Sequence, residues 1–198
     1  MEVNRRSKLQ REYFNGVKYR SPDHPVVSAY ADPKMDFIRA HAPLTGSILD
    51  LGCGNGILTQ RLSRDGAIVT GLDLSPYLLK QNPHGRVTCG DAAGLPFADA
   101  SFDLVFEANL LHHVDHPGSV IGEMMRVSRK YVILLEPNRY NPLMFAFSVV
   151  VAAERGGLRS SVKRLREELD SAGLSLLACR TTGMISQNNT PEMLLSFL

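Results

Sequence analysis

Ser47-Ile48-Leu49-Asp50-Leu51-Gly52-Cys53-Gly54-Asn55-Gly56 is the stretch whose reading decides the fold. An apolar run ends in an acid, and glycines follow at three alternate positions. Ile57-Leu58-Thr59-Gln60-Arg61-Leu62 then shows helical apolar spacing. The pattern predicts a buried strand, a tight loop and a helix N-terminus. Glycine suits a sharp turn or the close approach of a ligand. A helix start offers unpaired N–H groups and a partial positive charge, which favour an anionic group. The stretch therefore implies a nucleotide-like ligand that carries a carboxylate or a phosphate.

Spacing narrows the ligand. The dinucleotide fingerprint G-x-G-x-x-G needs a third glycine where this chain has Ile57. No Gly-Lys-Ser or Gly-Lys-Thr follows, which excludes a phosphate-binding P-loop. Asp50 precedes the first glycine, where a phosphate site gains nothing from negative charge. It suits a ligand with a cationic group, and S-adenosylmethionine carries a sulfonium, an ammonium and a carboxylate. The segment Ala67–Ser75 reads as a second strand ending in Asp73. Asp73 follows the loop by about 20 residues, the interval at which an acid commonly holds ribose hydroxyls. Ser75-Pro76 supplies a helix start of its own, leaving Asp73 for the diol. Arg86–Ala92 gives a third strand ending in Asp91, placed to accept from an adenine amino group. Ser101–Asn109 gives a fourth and Tyr131–Asn138 a fifth, again ending in an acid. Acids at successive strand ends fit an open α/β sheet, which binds ligands beyond its carboxyl edge.

In these segments the chain resembles the class I S-adenosylmethionine-dependent methyltransferases, in particular the methyltransferase type 11 group related to quinone-biosynthesis enzymes. The resemblance rests on Leu49–Gly56, Gly71–Ser75, Gly90-Asp91-Ala92 with Leu95-Pro96-Phe97, and Phe102–Val105 leading to Leu111-His112-His113-Val114. It implies an α/β, Rossmann-like three-layer αβα sandwich with a mostly parallel sheet. It also implies S-adenosylmethionine as methyl donor and S-adenosylhomocysteine as product. Carried over position by position, the cofactor-binding set is Asp50, Gly52, Cys53, Gly54, Gly56, Asp73, Leu74, Asp91, Ala92 and Asn109. The family fold ends in a seventh, antiparallel strand between strands five and six, and no residues of this chain read as that strand.

The chain of 198 residues suits one α/β domain with a large core. It divides into an N-terminal helical cap (1–45), a cofactor-binding core (46–138) and a substrate-side portion (139–198). A formal charge of +2 is too near neutral to argue for nucleic acid. Cys53, Cys89 and Cys179 are odd in number, far apart and free of any C-x-x-C, which reads as reduced thiols in a cytoplasmic protein. The polar N-terminus shows no signal peptide. In the first 45 residues a helical pattern near Val26 to Ala42 either folds over the cofactor or covers one face of the sheet. Asn141–Ala153 is the most apolar run, too short to span a bilayer. It is either a buried helix or homodimer surface, or a lid that touches a greasy acceptor or a membrane surface. The mixed charges of 154–170 read as a solvated amphipathic helix. Ala172-Gly173 ends that helix, and Leu174–Cys179 reads as strand six. Thr190-Pro191-Glu192 begins another helix.

Methyl transfer from a sulfonium is an in-line displacement on an activated carbon, so the protein mainly positions two reactants. A hydroxyl acceptor would need a general base, and His112 or His113 is the candidate. No Cys or acid lies at a ligand-like spacing from His112, His113 and His116, so no metal is expected. Without an Asn-Pro-Pro-Tyr run, amide and base nitrogens are disfavoured as acceptors. The expected function is methyl transfer to a small, hydrophobic acceptor. The alternative from another class is a non-catalytic protein, regulatory or assembling, that binds S-adenosylmethionine.

Overall fold

The computed structural model describes residues 5–181. Five strands form one sheet in the order β3-β2-β1-β4-β5. They are β1 (Ser47–Leu51), β2 (Ile68–Asp73), β3 (Val87–Cys89), β4 (Phe102–Ala108) and β5 (Ser128–Leu135). All four pairings are parallel. The chain starts in the centre and winds outward both ways. The switch of direction between β1 and β4 opens a crevice at their carboxyl ends.

Side-chain alternation along the strands divides the core in two. Ile48 of β1 and Leu104 and Phe106 of β4 face a layer that holds Val27, Ala31, Met35 and Ile38 of α2 (Pro25–His41) and Leu58 and Leu62 of α3 (Ile57–Arg64). Leu49, Leu51 and Val105 face the opposite layer with Val120, Ile121, Met124 and Val127 of α5 (Pro117–Val127). Each fully buried aliphatic side chain in these layers contributes about 1.5–3 kcal/mol. The four α2 residues recur at helical spacing, which is why this stretch is a helix and lies flat on the sheet. Arg39 of α2 pairs with Asp65 at 2.9 Å, fixing the helix against the end of α3.

The remaining elements are α1 (Arg5–Gly16), the short α4 (Pro76–Leu79), a 3₁₀ turn at Leu111–His113, α6 (Pro142–Val150), a 3₁₀ stretch at Ala152–Arg159 and α7 (Val162–Ser171). Ser75 caps α4 by accepting from Leu78 N–H at 3.2 Å. Gly173, with φ +76°, ends α7 as its composition predicts. No described helix is long and apolar enough to cross a membrane.

Two sequence expectations need correction. Leu174–Cys179 forms no strand among the described residues, and most of it, Leu177 included, is exposed. Its apolar residues favour a strand only where a neighbouring ladder exists, and among the described residues β5 pairs with β4 alone. The run after β5 does form a helix, α6, but not a buried one. Leu143, Phe145, Val149 and Val150 are exposed and only Ser148 is buried. The helix expected from Thr190 lies outside the described residues.

Candidate active site

The loop after β1 is held open by a carboxylate at the end of β2. Asp73 Oδ2 accepts from Gly54 N–H at 2.9 Å and Oδ1 from Ser75 N–H at 2.8 Å. Asp73 is thus not left entirely to a diol, because it also ties two loops together. Each oxygen keeps a second lone pair for a ligand. Gly52 and Gly56 adopt φ of +77° and +85°, a region open chiefly to glycine. A Cβ on Gly56 would collide with the Asn82 amide. Gly56 therefore has Asn82 packed against it and makes the turn of the loop.

Asp50 is buried and accepts from Thr59 Oγ1 at 2.6 Å. Burial, reinforced by the nearby Asp73, outweighs that hydrogen bond and pushes its pKa up to about 7. A cation placed beside it would restore the ionised form. Asp91 is exposed, and one of its oxygens accepts from Ala93 N–H at 2.9 Å.

On the other side of the crevice two further carboxyls fasten the 3₁₀ turn. Glu107, fully buried in β4, accepts from Leu110 N–H at 2.9 Å and from Leu135 N–H at 3.0 Å. Burial and the adjacent Glu136 push its pKa well above the usual carboxylate range. Glu136, just past β5, accepts from Leu111 N–H at 2.9 Å, His112 N–H at 3.1 Å and His112 Nδ1 at 2.9 Å. His112 Nε2 lies 3.4 Å from Glu154 Oε2, and His113 Nε2 lies 3.9 Å from the same oxygen. Burial alone would lower the His112 pKa, but Glu136 and Glu154 outweigh it and raise it to about 10. His112 is therefore an imidazolium at neutral pH. Burial would raise the Glu154 pKa, yet His112 and His113 hold it below its ordinary value.

His112, His113 and Glu154 each offer a ligand atom, and these lie within 4.8 Å of one another. The sequence argument against a metal assumed that no acid joins the histidines. The fold brings Glu154 to them from 42 residues away. The donor set could take a divalent cation, although methyl transfer requires none.

The N-terminal helices both roof the crevice and cover the sheet. Gln10 of α1 donates to Ala153 O at 2.7 Å, and Ser75 Oγ donates to Asn15 Oδ1 at 3.2 Å. α1 thus bridges the α4 side to the 3₁₀ stretch that carries Glu154. Phe14 packs edge-on against His113 at 5.1 Å. Tyr30 of α2 accepts from Asn109 Nδ2, and Asn109 itself sits at φ +61° beyond β4. Burial raises the Tyr19 pKa, with Asp73 adding to the effect.

Beneath this roof lies a cavity of about 1200 Å³, larger than a typical single-ligand pocket. It brings together Asp50, Gly52, Cys53, Gly54, Asp73, Leu74, Asp91, Ala92, Asn109, His112 and His113, every expected site residue except Gly56. Tyr19, Tyr30, Lys34, Glu136 and Glu154 join them. Sequence reasoning singled out none of these as a site residue. No local motif marks them, since each arrives through the tertiary fold.

A family model described as a methyltransferase domain matches residues 49–135. A ubiquinone biosynthesis O-methyltransferase of Hahella chejuensis is 35% identical over 165 residues, covering 76% of this chain and 66% of that protein. A protein of the same description from Nitrosococcus oceani is 34% identical over 134 residues, 60% of this chain and 55% of that one. The chain spans between about half and two thirds of the length of these curated relatives. Among solved structures, a SAM-dependent methyltransferase of Thermotoga maritima superposes with a TM-score of 0.63 at 21% identity, covering 75% of this chain and 72% of that one. One from Aquifex aeolicus gives 0.60 at 18% identity, covering 78% and 88%. These two likenesses concern the fold.

Proposed function

We propose that this chain, which belongs to the methyltransferase-domain family of class I S-adenosylmethionine-dependent proteins, transfers a methyl group from S-adenosylmethionine to a small organic acceptor. The observation that carries the reading is the Asp73 carboxylate, which knits the 52–56 loop to the β2 end while keeping acceptor capacity inside the cavity. The donor set fits the ligand. Asp50 is a buried carboxyl in want of a cation, Asp73 suits a diol, and Asp91 with Ala92 suits an adenine edge.

The donor supplies a methyl already activated as a sulfonium, so the chain has three tasks: to orient, to exclude water and to take a proton. Asp50 and Asp73 fix the donor end. α1 and the segment after it, with Tyr13, Phe14 and Tyr19 in the cavity wall, keep water out. For a hydroxyl acceptor, His112 is already protonated at neutral pH and cannot serve as base. It holds Glu154 in place, and the proton falls to His113 beside that carboxylate. Cys53, Cys89 and Cys179 are free thiols, which suits a reducing compartment such as the cytoplasm.

Calorimetry with S-adenosylmethionine and S-adenosylhomocysteine tests the donor site, and the absence of binding by folded protein rejects the proposal. Transfer of labelled methyl to a panel of phenols, quinols, lipids and amines then tests turnover. Binding without turnover across the panel would favour a non-catalytic role.

A further inference from the structure

We infer that Lys34 is the recognition point for a carboxylate borne by an otherwise apolar acceptor; this rests on the methyltransferase reading and names the substrate class of that site. Lys34 lies on the flank of α2, beside the stripe that packs on the sheet, and forms part of the cavity wall. Its ammonium sits 3.6 Å from the centroid of the Tyr30 ring and donates to Tyr30 O at 3.2 Å. Two of its three N–H donors have no hydrogen-bond partner among the described residues.

The acid that acts on Lys34 is Glu107. Both Glu107 oxygens are engaged by the Leu110 and Leu135 N–H groups, and among the described residues it forms no ion pair with Lys34. Desolvation lowers the Lys34 pKa to about 8, which still leaves the ammonium charged at neutral pH. A partly buried cation without an anion is costly, and an anion delivered by a ligand removes that cost. The neighbouring wall includes an apolar group, Phe37, Ala108, Tyr131, Ile133 and Leu135. The acceptor body that fits is thus hydrophobic, with one negative group at the Lys34 end.

The test is a calorimetric titration of 3-phenylpropanoate against its uncharged amide, 3-phenylpropanamide, with and without saturating S-adenosylhomocysteine. Wild-type protein should bind the acid at least tenfold more tightly than the amide. Lys34→Met should abolish that preference by weakening the acid alone, and Lys34→Arg should retain it. Equal affinity for the two probes in the wild type, absent binding of both included, overturns the inference. So does a preference that persists in Lys34→Met. Titration of S-adenosylhomocysteine alone reports on the donor site in each variant. Its failure would sink the methyltransferase reading, while the acid–amide comparison made without it still decides the role of Lys34.

Discussion

Replacing His112 with Gln tests whether the site holds a proton that the unfolded chain releases. In the folded protein the His112 pKa stands near 10, against an ordinary 6.5. The folded value is raised, so the stabilisation is complete below pH 6.5 and is lost as pH rises through 10. The difference of 3.5 units corresponds to an upper bound of about 5 kcal/mol, lost at no more than about 1.4 kcal/mol per pH unit. Lys34 acts oppositely in part of that range. Its folded pKa is about 8 against 10.5, so its contribution grows more favourable as pH rises. The wild-type curve alone is therefore a poor readout, and the difference between wild type and variant is the quantity to measure. Urea unfolding at half-unit steps from pH 7.5 to 9.5, with a chelator present to keep metals off the imidazole, gives that difference. The margin of wild type over His112→Gln should shrink by roughly 2 kcal/mol across the window. A margin that stays constant would refute the assignment of an imidazolium between Glu136 and Glu154.

Three further outcomes follow from the donor side. Asp73→Ala leaves the Gly54 and Ser75 N–H groups without their acceptor and removes the proposed diol partner; S-adenosylhomocysteine affinity by calorimetry should fall on the order of 100-fold. Gly56→Ala forces a side chain into positive φ and against Asn82; it should cost about 2 kcal/mol and lower Tm by roughly 5 °C in a thermal melt. Asp50 has a folded pKa of about 7 without ligand, above its ordinary value, so ligand-free stability should decline as pH rises from 4 to 7. Affinity for the cationic donor should climb over pH 5.5–7 and level off above, by up to about tenfold per unit, and Asp50→Asn should flatten that dependence.

The placement of the proposed donor-side residues in one cavity was legible because its information is local. Gly52, Gly54 and Asp50 occupy one strand–loop–helix unit, and Asp73 ends the adjacent strand, so spacing and residue type carry the geometry. The acceptor half was not. Glu154 lies in a 3₁₀ stretch whose mixed charges read as a solvated surface, and the packing of this stretch against α6, α1 and the Leu111–His113 turn buries it. Glu136 looked like a ligand-binding acid because it ends a strand, and Glu107 carried no reading of its own. Both serve backbone N–H groups of the turn that carries the histidines. Leu174–Cys179 misled in the opposite way: apolar composition states a capacity for pairing, and pairing also requires a neighbour.

The two hydrogen bonds that Asp73 makes to Gly54 and Ser75 exist before any donor arrives, so the loop need not be ordered on binding. On the proposed reading, Asp50, Asp73, Asp91 and Ala92 all grip portions that the donor shares with its demethylated product. Discrimination between fresh and spent donor then rests on a single methyl and one positive charge. Such a site exchanges its cargo by mass action and is strongly inhibited by its own product. Its turnover is governed as much by how fast the surroundings clear S-adenosylhomocysteine as by any residue in the cavity.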